Sequence, residues 1–134
     1  MAKESGFGMS VTVDDAGGTG RDISNDIMTA DFETPRNIQD ITGLDKSATE
    51  RLLLLADFSA TLNGVFNATS NKSHDVFKLW ATTTVARTTS IVHSGQTLAV
   101  EVWVLDYAVA RADSGEMTWG TPMVLQDGAV PTWA

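Results

Sequence analysis

The sequence predicts a mainly β domain of seven or eight strands, with one short helix beside them and one long extended loop. Three observations carry this. First, ADFSATLNGVFN at 56–67 alternates with a period of two: Ala56, Phe58, Ala60, Leu62, Gly64 and Phe66 on one side, Asp57, Ser59, Thr61, Asn63 and Asn67 on the other, with Val65 out of step. Second, the same alternation returns in 7–13, 28–34 and 97–111, and Gly, Asp, Asn and Ser clusters separate the runs. Third, a single stretch, 73–80, has a helical pattern.

The elements follow in order. Phe7 to Val13 reads as a strand with Phe7, Met9, Val11 and Val13 on one side. Asp14 to Gly20 is a turn; no Gly-Lys-Ser/Thr follows its glycines, so it is not a phosphate loop. A short strand is expected at 21–24. Met28 to Thr34 alternates Met28, Ala30 and Phe32 against Thr29, Asp31 and Glu33, until Pro35 ends it. Residues 35–55 lack sustained alternation; Ser47-Ala48-Thr49-Glu50 has capping-box spacing, so one or two helical turns are expected inside an excursion that leaves the sheet. The strand 56–67 would span roughly 40 Å, twice the usual length. Ser73 is the expected N-cap of a helix whose Val76, Phe77 and Trp80 share a face. Arg87 to His93 reads as a polar strand, Ser94-Gly95-Gln96 as a tight turn, and 97–111 as a second long strand broken at Asp106. Asp113 to Glu116 is a hairpin turn, and Met117 to Leu125 a strand that Pro122 should confine to an edge or a bulge.

The 134 residues suggest one domain, long enough for its own core. The longest apolar run, Leu52 to Ala56, is too short to cross a bilayer, and the start, MAKESG, does not read as a signal peptide. Hence no membrane partner is expected, and the sequons at Asn67 and Asn71 read as chance. The absence of cysteine excludes disulfides and thiolate chemistry. A net charge of −8 makes the chain a poor nucleic-acid gripper, since that grip comes from Lys and Arg on phosphates. It serves solubility, or a surface that must repel a polyanion.

Enzymatic signals are weak. His74 and His93 are the only histidines, without metal-ligand spacing, and are expected to face solvent. No Gly-x-Ser-x-Gly elbow is present. Asp31 and Glu33 point the same way, but on the face read as wet, which argues against a tuned glycosidase pair. No catalytic residue, metal or cofactor is therefore expected. Of the tryptophans, Trp80 is expected in the core and Trp103 under the helix or at an interface. Trp133 sits in a tail where it would best cover apolar surface on a neighbour.

The run Asp22-Ile23-Ser24-Asn25, an alternating strand, ITGLDKSATERL at 41–52 and ADFSATLNG at 56–64 together resemble the tail tube (major tail) proteins of long-tailed bacteriophages. GQTL at 95–98, ARADSG at 110–115 and GAVPTW at 128–133 agree in order and spacing. The resemblance implies a β-sandwich or split barrel flanked by a helix, in a non-enzymatic virion protein built in the bacterial cytoplasm. Six copies would form a ring and rings would stack, each copy lending about four strands to an inner barrel. Tape measure, terminator and baseplate proteins would be the other partners, and genomic DNA would pass without specific binding. On this basis Thr29, Asp31, Glu33, Asp57, Ser59, Thr61 and Asn63 are the candidate channel lining. Ile41, Leu44, Leu52, Leu53, Leu54 and Trp133 are the candidate contacts between subunits or rings. Residues 1–8, 35–55 and 127–134 are the candidate arms. A single-ring tail terminator, a carbohydrate-binding sandwich and a small carboxylate hydrolase are the alternatives.

Overall fold

The structure, a computed structural model, describes residues 3–134. The strands are β1 (Ser10–Asp14), β2 (Gly20–Asp22), β3 (Ile27–Glu33), β4 (Arg36–Asp40), β5 (Arg51–Ala56), β6 (Ser59–Val65), β7 (Arg87–His93), β8 (Gln96–Val104), β9 (Ala108–Arg111) and β10 (Met117–Leu125). One helix, α1 (Ser73–Phe77), and a 3-10 turn (Ser24–Asp26) complete it. Eight strands form one antiparallel sheet in the order β2-β1-β7-β8-β10-β6-β3, with β9 on β10; β4 and β5 form a separate hairpin. The fold is mainly β with a short helix, as the alternation predicts.

The sheet bends over on itself. Val11 and Val13 of β1, Ile91 of β7 and Leu98, Val100 and Val102 of β8 share one core with Ala60 and Leu62 of β6 and Trp119 and Met123 of β10. The two halves are joined where Val102–Val104 pairs with Met123–Leu125. They are open on the other side, where Met9 and Val11 face Ile27 and Ala30 across a groove of about 320 Å³. This is a split barrel. Helix α1 contributes Val76 and Phe77, both fully buried. Each such large apolar side chain stabilises the fold by about 1.5–3 kcal/mol.

Several expectations are corrected. The expected 12-residue strand 56–67 is shorter: β6 covers only Ser59–Val65 of it, and Ala56 is the last residue of β5. Between them the Asp57 N–H donates to the Pro35 carbonyl (2.9 Å), and the Asp57 carboxylate accepts from the Phe58 N–H (2.8 Å). The side-chain alternation survives the break, with Phe58, Ala60 and Leu62 buried. The excursion at 35–55 contains no helical turn; it is the β4–β5 hairpin, in register at Ile38↔Leu53, Gln39↔Leu52 and Asp40↔Arg51. The first strand starts at Ser10, and Phe7 is exposed. Strand β7 is polar in composition, as read, yet Arg87, Thr89 and Ile91 on its inner side are buried. Helix α1 ends before Trp80, which is half-buried.

Pro122 lies in a central strand rather than at an edge. Its carbonyl accepts from the Leu105 N–H (3.0 Å), so its donor-less nitrogen faces the break between β8 and β9, where no ladder needs it. That break falls at 105–107, around Asp106 as expected.

Candidate functional site

Strands β3, β6, β10 and β9 form a four-stranded stretch with one outward face, polar along β3 and β6 and built mainly of small residues along β10 and β9. Its ladder brings the candidate lining residues together as direct cross-strand partners: Thr29 opposite Asn63, Asp31 opposite Thr61, Glu33 opposite Ser59. These side chains are exposed, apart from half-buried Ser59. The Asn63 Nδ2 donates to Thr29 Oγ1 at 3.2 Å. Asp57 is also exposed but lies in the link before β6, at the end of the ladder.

The face continues onto strands whose contribution the sequence reading missed. Asn63 is opposite Gly120 and Thr61 opposite Pro122; Gly120 and Thr118 are in turn opposite Ala108 and Ala110. The alternation of Thr118 and Gly120 against buried Trp119 was the available signal. Gly120 leaves room for Asn63: a Cβ there would stand 2.9 Å from Asn63 Oδ1. No position of this face carries a Lys or Arg; Arg111, opposite Met117 at the end of β9, is out of phase with Ala108 and Ala110.

Both sides of this stretch are open. Among the described residues β3 pairs with β6 alone and β9 with β10 alone. All pairings are antiparallel, so over four strands β3 and β9 run in opposite directions.

The candidate contact residues gather on the hairpin. Ile41, Leu44, Leu52, Leu53 and Leu54 are exposed there, as is Leu55 at 90 %. A groove of about 590 Å³ between Arg36, Leu53–Ala56 and Val130 lies at its base. Arg36 Nε donates to the Leu54 carbonyl (2.9 Å), and Thr42 links Asp40 to Glu50 at the tip. Trp133 is apart from this group. Its segment is tied to β8: the Thr97 N–H donates to the Ala134 carbonyl (2.7 Å) and the Ala134 N–H to the Thr97 carbonyl (2.8 Å). Its ring lies 6.1 Å from that of Phe32. The tail is therefore not free: Trp133, still 45 % exposed, also rests on its own chain.

The histidines are not solvent-facing either. His74 Nδ1 meets the Tyr107 hydroxyl at 3.1 Å, and His93 Nε2 lies 3.8 Å from Glu4. Burial, then the Asp26 carboxylate, pushes the Tyr107 hydroxyl above the usual phenol range. Among the described residues no three metal-ligating side chains converge. Nor is any helix long and apolar enough to cross a membrane.

No protein-family model matches the chain, and no curated protein matches its sequence. Solved structures match its fold along nearly the whole length. A chain in the tail of an empty gene transfer agent particle, determined by helical refinement with C6 symmetry, superposes with a TM-score of 0.77 at 14 % identity, over 98 % of both chains. The fold is tail-tube-like. A chain of the native gene transfer agent virion gives 0.77 at 12 % identity, covering 98 % of this chain and 99 % of that one. A chain of the anti-feeding prophage baseplate, 6-fold symmetrised, gives 0.68 at 11 % identity, covering 100 % and 97 %. In this tail-tube-like fold the polar face and its two open edges belong to one continuous sheet stretch.

Proposed function

We propose that the chain is the tube subunit of a phage-like tail: six copies close into a ring, rings stack, and DNA passes through the lumen. One observation carries this reading. The chain presents a four-stranded, cation-free sheet face whose two free edges run in opposite directions. The β9 edge of one copy can therefore extend the β3 edge of the next as an ordinary antiparallel pair. Repeated sixfold, the sheet closes into a 24-stranded barrel of roughly 115 Å girth and about 37 Å backbone diameter before strand tilt widens it.

The outward face then lines the lumen. Asp31, Glu33 and Asp57, with Thr29, Ser59, Thr61 and Asn63, offer phosphate groups no cation to hold. The hairpin is the contact to the neighbouring subunit or ring, through Ile41, Leu44 and Leu52 to Leu54. Its apolar side chains stay largely exposed among the described residues. The likeness to six-fold-symmetric tail and baseplate chains supports the same reading. Length control, termination and attachment fall to other tail proteins, because ring-on-ring stacking is open-ended. Negative-stain electron microscopy of the concentrated protein tests it. Hollow tubes with a regular axial repeat are the expected result; single rings that never stack, or a monomer at every concentration, overturn it.

A further inference from the structure

The segment 130–134 crosses from one half of the split barrel to the other. At Thr97–Leu98, β8 has β7 on one side, while β10 has already left the other. Ala134 fills that vacated edge with two backbone hydrogen bonds, and Trp133 forms the bridge to Leu98. From there the indole reaches Phe32 of β3, with the rings tilted by 51°. β3 needs such a tie. It has one partner strand, and only Ile27, Ala30 and Phe32 turn toward the core, each partly buried. Beside it lies the open seam of the barrel.

We infer that Trp133 is a positioning residue: with Ala134 it straps β3 to β8 and holds the free edge of β3 ready for the next subunit. The strap is a property of the single chain; its benefit to ring closure rests on the tube reading above. A strand held by one ladder frays at its open side, and joining a partner then costs the ordering entropy. Fixing β3 in advance removes that cost.

The test compares W133A and W133F with the unaltered protein by hydrogen exchange and by assembly. In W133A the paired β3 amides at 27–33 exchange about tenfold faster, while β1 and β7 keep their protection. W133F restores β3, because an aromatic ring again meets Phe32. The concentration at which tubes appear rises in W133A and returns in W133F. Unchanged β3 exchange in W133A overturns the strap, as does a loss of protection spread evenly over all strands. Loosened β3 with unaltered assembly overturns its role in ring closure. If the unaltered protein forms no tubes, the tube reading fails and the exchange data still judge the strap.

Discussion

At the scale of single residues, the tightest constraint is Gly64. A Cβ there would overlap the Asp26 carbonyl oxygen and stand 2.8 Å from Trp119 Cζ2, with backbone on one side and a buried indole on the other. Trp119 cannot retreat, since its Nε1–H donates to the Val65 carbonyl at 2.9 Å. Gly64→Ala should therefore cost about 3 kcal/mol in urea unfolding, the upper range for overpacking. Asp26 is a buried carboxylate, satisfied by Asn67 Nδ2 (2.8 Å) and the Ser73 N–H (3.0 Å), and it pins the start of α1 to the turn before β3. Arg87, also buried, donates to the Val76 and Asp14 carbonyls and ties α1 to β1. Asp22 sets a pH dependence. The Ser24 hydroxyl and then the Ser24 N–H hold its carboxyl below the usual range. A depressed folded value stabilises above the unfolded value of about 3.9, and the contribution is lost as pH falls through the lowered one. Asp22→Asn should thus be less stable than the parent at pH 7, and should lose less on acidification. Urea midpoints at pH 7 and pH 3 measure both.

At the scale of elements, the hairpin and the β9 edge carry the assembly predictions. Leu53 and Leu55 are 55 % and 90 % exposed, so Leu53→Asp and Leu55→Asp should change monomer stability by no more than about 0.5 kcal/mol. Tubes should nevertheless be lost, and the amides of 36–56 should be protected only in the tube of the parent protein. On β9, the Ala112 N–H donates inward to Glu116, so the odd-numbered donors, Val109 and Arg111, face the free edge. Val109→Pro removes one of them without touching the β9–β10 ladder. The variant should stay folded by circular dichroism and, on the proposed ring, sediment as a monomer at concentrations where the parent assembles. The same elements show what could be read in the sequence. Phe58, Ala60 and Leu62 announced their buried face, because one side of β6 sees the core and the other sees water. The hairpin gave no such signal: both its faces are exposed, so nothing in the single chain selects an alternation, and Leu52 to Leu55 run consecutively. The break before β6 was hidden because hydrogen bonds at Asp57, rather than a change of pattern, interrupt the ladder.

At the scale of the whole molecule, half of the candidate lumen was legible and half was not. Thr29, Asp31 and Glu33 alternate within one strand, and register sets them opposite Asn63, Thr61 and Ser59. Ala108, Ala110 and Gly120 are small and uncharged, so their share of the face emerges only once β9 and β10 are placed beside β6. Replacing Asp31, Glu33 and Asp57 together by Lys should leave the tube intact and slow DNA ejection at least tenfold, since each cation adds a phosphate contact. Particles carrying this variant and ejecting at the normal rate would sink the lumen assignment. The cation-free face also carries a thermodynamic sign. In a closed ring each of its carboxylates is repeated six times around the lumen, on a chain already at −8. Gathering them concentrates like charge, which mobile cations must neutralise, and the ionic cloud contracts to about 10 Å at 0.1 M salt. Tube formation should therefore take up cations. Added salt drives a protein off a polyanion, and here it would draw the subunits together.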